Sequence, residues 1–345
     1  MRPLTRADLA ALPSYVPGRS VAGAIKLASN EVPYGPLPGV PEALAEAATA
    51  VHRYPDMGVV ALREALAARL GVAADRIVTG CGSVALAEHL IRAACLPGDE
   101  VIYAWRSFEA YPIITATAAA AHVRVPNTAG HGHDLAAMAA AVTGRTRVVL
   151  VCNPNNPTGT AVRRAELDAF LDDVPDDVLV VLDEAYREFV TDPLVPDGLA
   201  TYGDRPNVVV LRTFSKAWGL AGLRVGYLIA APAVAAEIRK VTTPFSTSAA
   251  AQAAALAALQ AQDEMRRRVD LVVAERDRVL TAVRKTYPEV PESQANFFWL
   301  PVGDRALDLA ATCEQHGVIV RAFGGDGVRV TLGTPEENDA FLAAL

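Results

Sequence analysis

Short apolar runs alternate along the chain with longer stretches whose apolar residues recur every three or four positions. The second spacing, for example Leu62, Leu66 and Leu70, is typical of helices that pack one face on a core. Strands that are apolar throughout and separated by helices favour a mostly parallel sheet buried on both faces. We therefore predict an α/β fold with a seven-stranded, mostly parallel sheet sandwiched by helices. The predicted strands are residues 77–79, 101–103, 122–125, 148–152, 178–182, 208–211 and 225–229.

The two ends of the chain depart from this alternation. Residues 1–40 are rich in proline and glycine, which excludes regular helix and central strand and predicts an extended arm. We expect this arm to pack with a small α+β domain at 246–345, and the residues between, 41–245, to form a large domain. Further predicted elements are helices at 41–51 and 59–71, a helical region at 248–286, and strands at 297–300, 318–321 and 327–331.

Composition and charge indicate a globular protein of about two domains, with 345 residues, 52% hydrophobic and 21% charged. The net charge is -7, and the one dense basic cluster, residues 266–268, is flanked by Asp263, Glu264 and Asp270. Nucleic acid is therefore not expected as a partner. The apolar run at 249–259 is far shorter than the roughly 20 residues that span a bilayer, so no membrane association is expected.

The N-terminus and the cysteines favour a cytoplasmic protein. Arg2, Arg6 and Asp8 interrupt any apolar run, so no signal peptide is expected. The cysteines have no closely spaced pair and lie mostly in apolar surroundings, which favours reduced thiols. They are Cys81, Cys95, Cys152 and Cys313.

The segment 80–85, Gly-Cys-Gly-Ser-Val-Ala, follows a predicted strand and opens a predicted helix. It matches the dinucleotide fingerprint, in which an acidic residue after the next strand holds a ribose hydroxyl. Asp99 and Glu100 instead precede that strand, which disfavours a nicotinamide cofactor. Two interpretations remain: a phosphate bound by free N–H groups at the helix N-terminus, or a tight turn without a ligand.

Polar residues also follow two other predicted strands. Two prolines in the segment 152–159 fix the backbone, so that Asn155 and Asn156 are presented rigidly. Asp183 ends an apolar strand, where a carboxylate needs a cationic or protonated partner. Glu184 points the opposite way along the strand, and no nearby histidine has ligand spacing, so no metal is predicted.

Lys216 follows another apolar strand, within the glycine-containing stretch 213–226. Burial and nearby cations lower the pKa of such an amine until it attacks a carbonyl; a surface lysine in a strand-to-helix connection is the alternative. Ligands collect at the carboxyl ends of parallel strands, where phosphate donors, Asn156, Asp183 and Lys216 would meet. Pyridoxal phosphate requires this set: a lysine for the Schiff base, an acid for the pyridine nitrogen, and donors for the phosphate.

Four motifs then resemble those of the fold-type I pyridoxal phosphate aminotransferases: Asn-Asn-Pro-Thr-Gly at 155–159, Asp-Glu-Ala-Tyr at 183–186, Ser215-Lys216, and Gly-Leu-Arg-Val-Gly at 222–226. The resemblance covers nearly the whole chain. Within this group the chain looks most like the histidinol-phosphate aminotransferase subfamily and, inside it, the aromatic amino acid (phenylalanine) aminotransferases. The segments that narrow the resemblance are 27–36, 52–55 and 328–334.

The resemblance implies a role for each matching residue. Lys216 would bond the cofactor, Asp183 would partner its pyridine nitrogen, and Arg329 would clamp the substrate α-carboxylate. The family also implies a homodimer, in which Tyr54 reaches the cofactor phosphate of the neighbouring subunit. Further implied contacts are Ser83, Val84, Ser215 and Arg224 to the phosphate, Asn156 and Tyr186 to the ring hydroxyl, Phe108 stacked on the ring, and Tyr15, Asn30 and Arg321 at the substrate.

Departures from the subfamily pattern bear on the substrate. Val84-Ala85 stand where many histidinol-phosphate enzymes have Asp-Glu, and Trp105 and Phe108 stand where tyrosines are common. A more apolar site favours an aromatic side chain. We expect ping-pong transfer of the amino group of phenylalanine, tyrosine or tryptophan to 2-oxoglutarate.

Three alternatives remain open from the sequence. The first is a histidinol-phosphate aminotransferase, and the second is a pyridoxal phosphate decarboxylase or lyase. The third is a non-catalytic cofactor-binding regulator, which would need an attached DNA-binding segment; residues 1–40 show no helix-turn-helix pattern.

Overall fold

The computed structural model describes residues 4–6, 9, 12 and 14–345. The expectation of no signal peptide rests in part on Arg2 and Asp8, which lie outside these residues. The strands are β1 (Ile25–Leu27), β2 (Ile77–Gly80), β3 (Glu100–Trp105), β4 (Ala121–Pro126), β5 (Thr146–Cys152), β6 (Leu179–Asp183), β7 (Val208–Thr213), β8 (Gly226–Ile229), β9 (Phe297–Leu300), β10 (Val318–Phe323) and β11 (Gly327–Thr331). The α-helices are α1 (Val40–Ala48), α2 (Val60–Leu70), α3 (Gly82–Ala94), α4 (Ala110–Thr117), α5 (Leu135–Ala140), α6 (Arg164–Asp173), α7 (Gly198–Tyr202), α8 (Pro232–Val241), α9 (Ala249–Gln260), α10 (Gln262–Val283), α11 (Ala306–Gln315) and α12 (Pro335–Ala343).

Seven strands form one large sheet in the order β2-β8-β7-β6-β5-β3-β4. β8 runs antiparallel to both of its neighbours, and every other pair in this sheet is parallel. The seven predicted strands and the α/β class are confirmed. Asp183 at the end of β6 lies opposite Cys152 of β5 and Leu211 of β7. The loops after these three strands therefore leave the sheet at the same edge.

The large sheet is buried on both faces, which explains why its strands are apolar throughout. Val180 and Leu182 belong to one hydrophobic cluster, and Val181 between them belongs to the other, because successive residues of a strand point to opposite faces. Residues of α2, α6 and α9 join the first cluster, and residues of α3, α4 and α8 join the second. Helices thus cover both faces, as expected for this class.

A second sheet of four strands has the order β1-β10-β11-β9. Its last three strands match the three strands predicted near the C-terminus. β1 was missed: residues 25–27 lie in the segment predicted to be an extended arm, yet they form an edge strand that pairs in parallel with residues 318–320 of β10. A three-residue edge strand has too few positions to show a pattern in sequence. The domain boundaries at 40/41 and 245/246 stay predictions.

Three further observations concern the described part of the chain. No helix there combines the length and the apolar character needed to cross a bilayer. All four cysteines carry free thiols. No group of three or more His, Cys, Asp or Glu side chains within these residues has an arrangement that would hold a metal ion.

Candidate active site

A cavity of about 510 Å³ opens where β5, β6 and β7 end. The N-terminal segment and the strand pair β10–β11 form part of its wall. Every site residue named from the sequence lines this cavity except Tyr54. Those that line it are Tyr15, Asn30, Ser83, Val84, Phe108, Asn156, Asp183, Tyr186, Ser215, Lys216, Arg224, Arg321 and Arg329.

Lys216 follows β7 and projects its amine into the cavity. The Nζ atom donates a hydrogen bond to the backbone carbonyl of Ser29 at 3.0 Å and lies 5.8 Å from the ring centre of Tyr186. Desolvation, followed by the positive charge of Arg329, lowers the pKa of this amine to about 7. A large fraction of the amine is therefore neutral at physiological pH, as a nucleophile or a base requires.

The start of α3 and the loop before β8 form a cradle of donors. Arg224, which has a left-handed backbone with φ 54°, donates from Nη1 to the hydroxyl of Ser215 at 3.1 Å. A Cβ at Gly82 would collide with the Arg224 guanidinium, and one at Gly226 would lie 2.7 Å from the backbone nitrogen of Ser83. Both glycines are thus needed to bring guanidinium, hydroxyl and helix N-terminus together. Such a cluster suits a phosphate.

Asp183 is a buried carboxylate that lacks a cationic partner among the described residues. It accepts hydrogen bonds from the Tyr111 hydroxyl at 2.8 Å and the Ala185 backbone nitrogen at 3.3 Å. Desolvation raises the pKa of Asp183 to about 6, and the Tyr111 hydrogen bond opposes this rise. A cation or an N–H donor placed beside this carboxylate would supply the charged or hydrogen-bonding partner that a buried carboxylate requires. Glu184 faces away, as predicted, and pairs with Arg212.

Arg329 is the second buried cation of the site. It donates to Asn156 Oδ1 at 2.6 Å and to the Ala28 carbonyl at 2.7 Å, while its buried Nε has no hydrogen-bond partner among the described residues. It makes no ion pair there either. Desolvation lowers the pKa of this guanidinium, which nevertheless stays charged at neutral pH. Arg329 therefore offers an uncompensated positive charge to a carboxylate.

Asn30 connects the N-terminal segment to the same wall of the cavity. Its side chain donates to the Tyr186 hydroxyl at 3.0 Å and accepts from the Thr331 hydroxyl at 3.1 Å. Burial raises the pKa of Tyr186, so its hydroxyl remains protonated and is available as a donor. This chain of bonds fixes the Tyr186 hydroxyl inside the cavity.

Sequence reasoning missed three participants. Tyr111 holds Asp183, Ser29 accepts from Lys216, and Glu109 forms an ion pair with Arg321 at 2.9 Å. Glu109 and Tyr111 flank the start of α4, one and three residues after the predicted ring-stacking residue Phe108. Their spacing from Phe108 is the one signal in the sequence that points to them.

Tyr54 lies outside the cavity. Its side chain is 83% exposed, and its ring stacks on Phe245 with ring centres 4.6 Å apart. The expectation that Tyr54 serves a neighbouring subunit concerns a second chain and stays a prediction.

The chain belongs to the aminotransferase class I and II family, whose model matches residues 22–345. Its relatives include an aromatic amino acid aminotransferase of Streptomyces avermitilis, 59% identical over 99% of this chain and 96% of the relative. Another, from Rhodococcus jostii, is 58% identical over 99% of this chain and 95% of the relative. These findings confirm the resemblance drawn from the motifs.

Among solved structures, the fold is similar to that of a histidinol-phosphate aminotransferase from Sinorhizobium meliloti in complex with pyridoxal-5'-phosphate. That similarity has a TM-score of 0.87 and 29% identity, and it covers 99% of this chain and 96% of the other. The two relatives at high identity are thus named for aromatic amino acids, whereas the structural neighbour is named for histidinol phosphate.

Proposed function

We propose that this protein is a pyridoxal phosphate-dependent aminotransferase that moves the amino group of an aromatic amino acid to 2-oxoglutarate by a ping-pong mechanism. The observation that carries the proposal is one cavity that holds an amine with a pKa near 7 and a buried carboxylate for which the described residues offer no cationic partner. The relatives at 58–59% identity, both aromatic amino acid aminotransferases by name, support the substrate class.

The residues present fit the cofactor. The cofactor phosphate would be held by the cradle of Ser83, Val84, Ser215 and Arg224. These donors can approach one another because Gly82 and Gly226 carry no side chain. Asp183, which has no cationic partner in the described part of the chain, would accept a hydrogen bond from the protonated pyridine nitrogen. When bound, pyridoxal phosphate supplies an aldehyde that bonds amines and a ring that accepts electrons. The remaining contacts would come from Asn156 and Tyr186 at the ring hydroxyl and Phe108 against the ring face.

Lys216 would act as the base of the reaction. With its pKa lowered to about 7, the neutral Nζ takes the proton from the substrate carbon that carries the amino group, and later returns a proton. The carbonyl of Ser29, 3.0 Å from Nζ, orients the amine within the cavity.

Arg329 would bind the substrate carboxylate, because its guanidinium has no anionic partner among the residues that the structure describes and can offer two donors to a carboxylate. Apolar residues that line the cavity include Phe108, Ile113 and Ile114. An aromatic side chain would bury its surface against such residues, and the half-exposed Tyr15 also lines the cavity.

A substrate panel tests this proposal. With purified protein and 2-oxoglutarate, we expect kcat/KM for phenylalanine, tyrosine and tryptophan to exceed that for histidinol phosphate by at least about tenfold, or about 1.4 kcal/mol. The apolar lining of the cavity and the guanidinium of Arg329, which has no carboxylate partner among the described residues, both favour an aromatic amino acid. A preference for histidinol phosphate would contradict the substrate assignment, and release of CO2 without use of 2-oxoglutarate would indicate a decarboxylase.

We also propose a homodimer in which Tyr54 completes the cofactor site of the partner. The exposed position of Tyr54 outside its own cavity supports this arrangement. Reduced, unpaired thiols, three of them buried, suit the reducing environment of the cytoplasm, where we place the protein.

Hybrid dimers of Lys216→Ala and Tyr54→Phe chains should test the crossing. Lys216→Ala homodimers should be inactive, and Tyr54→Phe homodimers should release cofactor more readily because one phosphate donor is lost. If Tyr54 crosses, one site of the hybrid combines native Lys216 with native Tyr54, and this site should regain wild-type cofactor affinity. A hybrid whose active site stays as weak as that of Tyr54→Phe would place Tyr54 in its own subunit.

A further inference from the structure

The wall of the cavity holds two arginines side by side. Arg321 of β10 and Arg329 of β11 are directly opposite in the antiparallel register. Opposed residues of such strands have side chains on the same face, with Cβ atoms about 5 Å apart. Both side chains line the cavity. This wall therefore carries two guanidinium groups within reach of one bound anion.

Of these two guanidinium groups, only that of Arg321 has a carboxylate partner among the described residues. The Nη2 of Arg321 donates to both carboxylate oxygens of Glu109, at 2.9 and 3.2 Å, with 15% of the Arg321 side chain and 28% of the Glu109 side chain exposed. Arg329 has no carboxylate partner among the described residues. Glu109 lines the same cavity, directly before α4 and next to Phe108.

The two candidate donors differ in the charge that this wall must bind. An amino acid presents a carboxylate with one negative charge, which Arg329 alone balances. A phosphate monoester carries about -1.5 to -2 near pH 7 and offers three acceptor oxygens, so it is best bound by two guanidinium groups. Glu109 forms an ion pair with the second guanidinium, that of Arg321, and its negative charge also repels the phosphate.

From this charge balance we propose that Glu109 is a specificity-determining residue, which pairs with Arg321 and thereby selects amino donors with an α-carboxylate over donors with a phosphate. The inference rests on the proposed aminotransferase function and deepens it. Glu109 also offsets repulsion between the two arginines, a purely structural role that the experiment must separate from selectivity.

Glu109→Gln is the informative substitution, because it keeps the size of the side chain and removes its charge. The amino-donor half-reaction of the holoenzyme is followed by cofactor absorbance without any 2-oxo acid, so effects on the acceptor do not enter. The probes are phenylalanine, histidinol phosphate and histidinol, the last two differing only in the phosphate. Calorimetric binding of histidinol phosphate to the same enzymes with the cofactor already in its aminated form, which cannot accept another amino group, gives a readout independent of turnover.

We expect Glu109→Gln to tighten histidinol phosphate binding at least about tenfold, with phenylalanine and histidinol changed less than about threefold. The added substitution Arg321→Gln should cancel the gain. Asp326→Asn is the matched control. It removes the ion pair between Arg106, three residues before Glu109, and Asp326, in the turn between β10 and β11. This pair lies outside the cavity lining, so the selectivity should stay unchanged.

Two results would overturn the assignment of Glu109. One is unchanged histidinol phosphate binding in a Glu109→Gln holoenzyme with normal absorbance, and the other is an equal change for all three probes. A wild-type enzyme that fails to use aromatic amino acids would instead contradict the proposed function. The calorimetric comparison of wild type with Glu109→Gln would still report on Glu109 in that case.

Discussion

Lys216→Ala should abolish transamination, with kcat lower by at least about four orders of magnitude, and should remove the absorbance band of cofactor bonded to the lysine. The reason is that in the proposed mechanism one atom, Nζ, would serve both as the covalent anchor and as the base, and a positioned base alone contributes about 10²- to 10⁴-fold. Purified holoprotein is assayed with phenylalanine and 2-oxoglutarate, and its spectrum is recorded. Retention of both the band and turnover would exclude Lys216 as the reactive lysine.

Two controls separate chemistry from charge and folding. Lys216→Arg keeps a cation in the cavity but has no neutral amine at pH 7, so it should be as inactive as the alanine variant. In the cofactor-free protein, the pKa of about 7 predicts that modification of Lys216 by an amine-specific reagent accelerates as pH rises through 7.

Asp183→Asn should lower kcat by about 10²- to 10³-fold, the range found when a preorganised electrostatic partner is removed from a buried site. The carboxylate is buried in a low-dielectric pocket, where it would stabilise positive charge on the pyridine nitrogen, and an uncharged amide would do this poorly. Steady-state kinetics at saturating phenylalanine measure the effect. A kcat within threefold of wild type would mean that Asp183 does not partner the ring nitrogen.

The stability of the cofactor-free variant distinguishes this effect from misfolding. Because burial raises the folded-state pKa of Asp183 to about 6, above the ordinary value of 3.8, the folded protein binds this proton more tightly than the unfolded chain. The stability that the bound proton contributes is lost as pH rises from about 4 to 6. At pH 8 the buried, charged carboxylate therefore lowers the stability of the cofactor-free protein, and Asp183→Asn should melt at a temperature no lower than that of wild type.

Tyr111→Phe, which keeps the carboxylate, should lower kcat less than Asp183→Asn does.

The fold was accessible from sequence because buried parallel strands leave a strong local signal. Val180, Val181 and Leu182 are apolar on both faces of β6, so the run identifies a strand without any knowledge of its neighbours. The rule that ligands gather at carboxyl ends of such strands then placed Asp183 and Lys216 in one cavity.

The parts that sequence reasoning missed depend on pairings between distant segments. Nothing near Glu109 in the chain shows that its partner is Arg321, 212 positions away. Likewise, the hydrogen bond from Tyr111 to Asp183 joins residues that are 72 positions apart in the chain. The three-residue strand β1 is defined by its pairing with β10 and has little hydrophobic pattern of its own. Tertiary contacts decide such features, and a local pattern does not record them.

The pairing of β1 with β10 has a consequence for biosynthesis. Residues 28–30, directly after β1, contact Lys216, Arg329 and Tyr186, so the cavity is complete only when β1 is in place. β1 leaves the ribosome long before β10, because all seven strands of the large sheet lie between them in the chain. A nascent chain therefore holds the lysine, the aspartate and the cradle before it has a closed pocket, and it becomes competent for catalysis only after β10 has been made.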